Sequence, residues 1–338
     1  MSNRTPRSSR MPHWLQPHLD ADHRLRFDRF MELALYDPGH GYYAKHITTV
    51  GRHGDFSTTT TLSTALGRGI AAAIRKESPD HVLEIGAGTG ALTKAVRRAL
   101  PFLLRRRTRF HIVEHSPVLR STQQQLLGRK ASWHDSVTEA LHATGGSAFI
   151  FSNELVDAFP PRVFQITPDG WQELFLTLNN GGLRESWQTA HALPDSTMFS
   201  QNWPDGQRIE IHESYRSWLA DWLPAWSGES LLTIDYGGSP LDIYRRRPAG
   251  SLRAYLRHQV LAGPAIYESP GRRDLTADVN FDDLCHWGES LGLRTVALTT
   301  QREFLRPHAR PTAADRFLTD PDGAGTAFKV LRQSPEIV

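Results

Sequence analysis

Gly86, Gly88 and Gly90 stand at alternate positions directly after the apolar run Val82-Leu83-Glu84-Ile85, and Glu114 closes a second such run, Phe110-His111-Ile112-Val113. Glycines spaced in this way let the backbone turn sharply and let a ligand approach where any Cβ would collide. The N–H groups of a helix opening near Thr89 can then meet a carboxylate or phosphate. An acid at the end of the second run can accept both hydroxyls of a ribose. The chemistry implied is recognition of a ligand that carries a nucleoside. A second polar group follows in Phe151-Ser152-Asn153-Glu154-Leu155-Val156-Asp157, where Asn153 brings an amide and Glu154 and Asp157 bring carboxylates to the end of a third apolar run.

The dinucleotide fingerprint G-x-G-x-x-G spaces its third glycine one residue further on than is seen here. The pattern Glu84-x-Gly86-x-Gly88-x-Gly90 resembles motif I of class I S-adenosylmethionine (SAM) methyltransferases, in which there is no pyrophosphate to cradle. Glu84 would then face the methionine end of the cofactor. Asn153 and Glu154 would lie beside the sulfonium. Methyl transfer from sulfur is an in-line displacement that needs a lone pair, an aligned approach and a dry site, and it requires no protein-bound metal. If the acceptor is an arginine guanidinium, permanently cationic with five N–H donors, carboxylates must hold its plane and polarise one nitrogen. Glu154 and Asp157 can supply them. In the alternative reading Glu154 only binds the cofactor and Asp157 caps a turn before Pro160.

These residues need a scaffold, and from residue 81 onward the chain alternates strands with helices, as a parallel sheet covered on both faces requires. Seven strands are expected, at 81–85, 109–113, 131–134, 147–151, 230–235, 294–299 and 327–332. Ligands in such sheets sit beyond the carboxyl ends of the strands. Strand two therefore contributes Glu114 with Ser116, and strand three contributes Asp135 and Ser136, placed either to meet an adenine amino group or to cap a helix. Nearly 80 residues separate strands four and five, more than one crossover helix uses. Val163 to Ile166, Trp171 to Leu178 and Leu183 to Trp187 alternate in polarity around Pro168-Asp169-Gly170 and Asn179-Asn180-Gly181-Gly182, which predicts a small antiparallel meander. A helix from Ile209 to Leu223, with Ile211, Tyr215, Trp218, Leu219 and Trp222 on one stripe, returns the chain to the sheet. The expected organisation is a disordered basic tail at 1–24, an N-terminal helical extension at 25–80, and a cofactor-binding half at 81–160. The inserted meander and helix take 161–228, and the C-terminal half takes 229–338.

Composition narrows the function. Of 338 residues 39% are hydrophobic, so the chain can build a large core. Thirty-nine basic against 36 acidic residues leave a formal charge of +3, too weak for nucleic-acid binding without a concentrated patch. The single Cys285 excludes a disulfide framework, and the sixteen histidines include no H-E-x-x-H spacing, so no metal site is expected. No apolar run is long enough to span a bilayer. A soluble protein of the cytoplasm is expected. The mitochondrial matrix is the alternative, because Arg4, Arg7 and Arg10 among serines without an acid have the composition of a transit peptide.

The motifs in order resemble the MidA family, the mitochondrial complex I assembly arginine methyltransferases and their bacterial relatives. The resemblance spans about residues 25 to 332. It rests on Tyr36-Asp37-Pro38 with Gly41-Tyr42-Tyr43, Gly54-Asp55-Phe56, Leu83 to Gly90, Val113-Glu114-His115-Ser116-Pro117, Ser152 to Ala158, Ile234-Asp235-Tyr236-Gly237 and Asp274 to Phe281. It implies a class I methyltransferase, Rossmann-like α/β fold with SAM as donor. The acceptor it implies is an arginine ω-nitrogen of a partner protein, such as a respiratory-complex subunit. It also implies that Asp55, Phe56 and Thr58 line the cofactor pocket and that Arg253 and His258 lie near the acceptor. Asp278 and Asn280 stand where the family usually has a histidine and an acid, a departure that bears on the acceptor rather than the cofactor. A small-molecule methyltransferase and a non-catalytic SAM-binding assembly factor are the competing readings. Neither nucleic acid nor membrane is an expected partner, and the sequence leaves room for a homodimer.

Overall fold

The computed structural model describes residues 12–47, 64–179, 182–256 and 259–336. The first elements are a 3-10 helix at His13–His18, strand β1 (Arg24–Arg26) and the helix Phe27–Tyr36, which buries Phe27, Phe30, Met31, Ala34 and Leu35. Within the stretch expected as a disordered tail, the described residues 12–24 include the 3-10 helix and the start of β1. Leu15 is fully buried, and Trp14 stacks on His40 with ring centroids 4.7 Å apart. Leu25, expected in the helix, belongs to β1.

The helix Ala65–Glu77 leads into the alternating part of the chain. There β2 (His81–Ile85), β3 (Arg109–Val113), β4 (Ser132–His134) and β5 (Phe149–Asn153) are connected by the helices Ala91–Ala99, Phe102–Arg107, Pro117–Leu127 and Val137–Thr144. The insertion follows as β6 (Arg162–Thr167), β7 (Gly170–Asn179), β8 (Gly182–Thr189), β9 (Arg208–Ile211) and the helix Glu213–Trp222. After β10 (Leu231–Gly238) come β11 (Arg253–Leu256), β12 (Gln259–Leu261), β13 (Asp274–Thr276) and β14 (Val279–Asn280). The helix Phe281–Ser290, β15 (Leu293–Thr300) and β16 (Phe328–Pro335) complete the chain.

The main sheet has the order β15-β16-β10-β5-β2-β3-β4, with the short β14 beside the end of β10. The strands from β4 to β10 are parallel, and β16 runs antiparallel between β10 and β15. All five residues of β5 are buried, as a central strand covered on both faces demands, and this is why Phe149-Ile150-Phe151 reads as a continuous apolar run. The chain winds outward from β2 to β4 and then returns to β5 on the other side of β2. That reversal opens a crevice at the carboxyl ends of β2 and β5, between the glycine turn and Asn153.

The expected meander forms a second sheet, β1-β7-β6-β9 with β8 beside β7. Two expectations change here. Ile209 and Ile211 lie in β9, not in the helix, because both side chains point into the core while Ile209 pairs with Phe164. The helix itself starts at Glu213 and buries Tyr215, Leu219 and Trp222. β1 joins this sheet by pairing Leu25 with Leu176, so the N-terminal segment is fastened to the insertion. The segment after β10, expected as a loop, contains a third sheet of order β12-β11-β13.

Candidate functional site

A cavity of about 1280 Å³ opens at the carboxyl ends of the parallel strands. Its wall joins Glu84 in β2 with Gly86 and Gly88 after it, Glu114 and Ser116 after β3, Ser136 after β4, and Asn153 at the end of β5 with Glu154 and Asp157 after it. Residues far apart in sequence meet here because each follows a strand that ends at the same edge. All three motif glycines have positive φ, at 69°, 52° and 78°. Their surroundings differ. A Cβ on Gly86 would meet Leu155 Cδ1 at 2.9 Å and one on Gly90 would meet Gln123 Cγ at 3.3 Å, whereas one on Gly88 would meet nothing within 4 Å. Gly88 thus faces the open cavity, and Gly86 and Gly90 face protein. Gly90 serves as N-cap of the helix Ala91–Ala99 and does not line the cavity.

On one side of the turn the carboxylate of Glu114 is held from two directions. The Ser116 N–H donates to Oε1 at 2.9 Å, and Gln123 Nε2 donates to Oε2 at 2.9 Å. Burial pushes this carboxyl above its ordinary range, against those two donors. Gln123 is fully buried and also donates to the Gly88 carbonyl at 2.8 Å, while its own Oε1 accepts Trp133 Nε1 at 3.0 Å. One side chain therefore ties the glycine turn to the acid after β3. The open space at Gly88 and an acid with lone pairs to spare fit a nucleoside whose ribose lies against Glu114. Glu84 is 2% exposed, accepts the Thr93 hydroxyl, and is pushed up by burial to about 7, which suits a site that gains a cationic amino group when filled.

The other side of the cavity is built after β5 and β10. Asp235, within β10 and fully buried, accepts the backbone N–H groups of Leu155, Val156 and Asp157 on Oδ2 at 3.1, 2.9 and 3.3 Å. This carboxylate shapes the 3-10 turn that presents Asp157. Burial and the nearby Asp157 and Glu154 push it well up. Asp157 Oδ2 accepts the Tyr236 hydroxyl, and its Oδ1 is buried with no donor among the described residues. Burial raises the Asp157 carboxyl to about 6, with the Tyr236 hydroxyl and Arg253 pulling the other way. Glu154 sits at φ 52° and accepts Asn153 Nδ2 at 3.0 Å; Asn153 Oδ1 is likewise buried without a donor among the described residues. Tyr36 and Tyr43, stacked with centroids 5.5 Å apart, and Tyr236 and Tyr255 line the same region.

Not every expected residue arrives. Asp135 stays outside the cavity lining, its side chain 81% exposed and paired with Arg120. Ser136 both lines the cavity and caps the helix Val137–Thr144, accepting the Glu139 N–H at 3.1 Å. Arg253 stands behind Tyr236 and not on the cavity wall. Asp278 and Asn280 also lie off the wall: Asp278 pairs with Arg247 and Arg253, and Asn280 caps the helix Phe281–Ser290 while donating to Thr197 Oγ1 at 3.0 Å. Asp55, Phe56, Thr58 and His258 lie outside the described residues. Gln123, Asp235 and Tyr236 were assigned no role from sequence. Gln123 could have been noticed as a polar residue at a buried helical position, and the other two as polar residues directly after an apolar strand. Among the described residues no cluster of His, Cys, Asp or Glu is placed to hold a metal ion, and no helix is long and apolar enough to cross a membrane.

A family model of S-adenosyl-L-methionine-dependent methyltransferases matches residues 65–299. The chain is 26% identical over 371 residues to the mitochondrial protein arginine methyltransferase NDUFAF7 homolog of Drosophila melanogaster, covering 91% of this chain and 81% of that one. It is 27% identical over 324 residues to mitochondrial protein arginine methyltransferase NDUFAF7 of Danio rerio, covering 82% and 71%. In structure it is similar to a Burkholderia thailandensis protein crystallised with S-adenosyl-homocysteine, with a TM-score of 0.82, 26% identity and coverage of 93% of this chain and 88% of that one.

Proposed function

The chain belongs to the MidA family of SAM-dependent methyltransferases, and from that premise we propose that its acceptor is an arginine ω-nitrogen presented by a partner protein. The observation that carries this reading is the Asp157 carboxylate, which lines the same cavity as the glycine turn and has one buried oxygen without a donor among the described residues. A buried carboxylate in that state calls for a donor from outside, and a guanidinium supplies N–H groups together with the compensating charge. Glu154 on the same turn offers a second carboxylate, so that a planar guanidinium can be held on two sides. The relatives carrying the name protein arginine methyltransferase support the same acceptor.

Glu84 would hold the amino end of SAM, Glu114 its ribose, and Gly88 would leave room for it. When bound, SAM supplies an electrophilic methyl: the acceptor nitrogen's lone pair forms the N–C bond as the C–S pair returns to sulfur, and the acceptor sheds one proton. Asp157 and Glu154 orient the acceptor, and Asp157 is the base placed to take that proton. The mitochondrial designation of the relatives favours the matrix over the cytoplasm for this chain, and a respiratory-complex subunit as partner rests on the family resemblance alone. Incubation with methyl-labelled SAM and a protein extract tests the proposal. Label on protein arginine is expected; label on a small metabolite selects the small-molecule reading, and label on neither selects the assembly factor.

A further inference from the structure

Asp157 lines the cavity, and its two oxygens differ in their partners. Its Oδ2 accepts the Tyr236 hydroxyl, and its Oδ1 has no donor among the described residues. Behind Tyr236 the Arg253 guanidinium lies 4.6 Å from the ring centroid. Arg253 Nη1 donates to Asp278 Oδ1 at 2.5 Å and to the Ser251 carbonyl at 3.0 Å, and its Nε donates to the Tyr255 hydroxyl at 3.0 Å. Arg247 closes on the other Asp278 oxygen. From the cavity outward the order is carboxylate, phenol, guanidinium, carboxylate, guanidinium. The file runs from the turn after β5 through β10 and β11 to the residue before β14.

We propose that Tyr236, Arg253 and Asp278 are positioning residues that leave Asp157 Oδ1 as the oxygen facing the acceptor nitrogen and make Asp157 the group that takes its proton. The proposal rests on the arginine reading for the identity of the acceptor, but the file itself is a property of the protein alone. Two opposed failures explain why such a file is needed. Without a nearby cation, burial would keep Asp157 protonated, and it could accept nothing. Beside an uncompensated cation, the carboxylate would hold no proton once it took one. Tyr236 donates to Oδ2 and so directs the proton to Oδ1. Arg253 reaches Asp157 through the face of that phenol, which a cation favours. Asp278 offsets part of the Arg253 charge. The other groups facing Asp157 are Glu154 and Asp235, which favour its neutral form, and Tyr36 and Tyr43, which remain neutral because burial raises them well above the ordinary range. Asp278 therefore acts through Arg253, although it stands off the cavity wall.

The test is a carbon-13 NMR titration of aspartate carboxyls in the full chain, with the Asp157 signal identified by its loss in Asp157→Asn. Its wild-type midpoint is expected at about 6. Arg253→Gln and Tyr236→Phe should each raise the midpoint by about one pH unit, and Asp278→Asn should lower it by a similar amount. Arg253→Lys, which keeps the charge, should leave it near the wild-type value, and Arg253→Met replaces Arg253→Gln if that variant does not fold. A purely structural role predicts no opposed shifts. Midpoints that stay together in the folded variants would overturn the proposal. Failure of the labelling experiment would remove the arginine acceptor and leave these shifts as they are, so the two claims fall separately.

Discussion

Replacing Gly88 with valine separates the ligand's space from the protein's. At φ 52° any L-residue is strained, by about 1–2 kcal/mol, which in a chain of this size lowers the melting temperature by roughly 1–3 °C. A Cβ there meets nothing within 4 Å, so the protein has no further objection. The cofactor does. A branched side chain in that space forces a nucleoside away from Glu114 and Glu84, and losing two charge-assisted hydrogen bonds costs about 3 kcal/mol, or roughly a hundredfold in Kd. Gly86→Ala is the counterpart, since its Cβ meets Leu155 at 2.9 Å and the expected loss is stability. Calorimetry with S-adenosyl-homocysteine on each folded variant, beside a thermal melt, distinguishes the two. Gly88→Val binding with unchanged affinity would refute the placement of the cofactor over this turn.

Further outcomes follow from the same geometry. Burial raises Glu84 to about 7, so the empty protein should lose stability as pH rises from the ordinary carboxylate range through 7, while affinity for S-adenosyl-homocysteine rises over that interval. Calorimetry across pH checks this, and Glu84→Gln should flatten the dependence. Gln123→Ala removes the ties to Gly88, Glu114 and Trp133, and a urea melt should show a loss of about 2–4 kcal/mol together with weaker cofactor binding. Glu154→Gln should retain cofactor affinity and lose turnover; equal turnover would take Glu154 out of the mechanism.

The parts of this site legible in the sequence are those whose signal is local. The strand at 81–85 and its alternate glycines carry their meaning within ten residues, and Glu114 and Asn153 follow from the rule that ligands lie beyond strand ends. The parts that were not legible depend on distant pairings. Leu25 reads as helical until Leu176 offers it a strand partner. Gln123 lies in a helix between the strands it serves, and nothing nearby in sequence shows that its amide reaches back to Gly88. Arg253, expected near the acceptor by resemblance, lies behind Tyr236, which lines the cavity, and the antiparallel pairing of β11 with β13 fixes that placement. Asp135 is the converse case: it follows a strand as expected, but its side chain pairs with Arg120 outside the cavity lining.

The account stands most directly on where the methyl group goes. After incubation with methyl-labelled SAM and a protein extract, tandem mass spectrometry should find the label on arginine side chains with the wild-type chain and lose it with Asp157→Asn. Label confined to a small molecule, or arginine label that persists undiminished in Asp157→Asn, would contradict it.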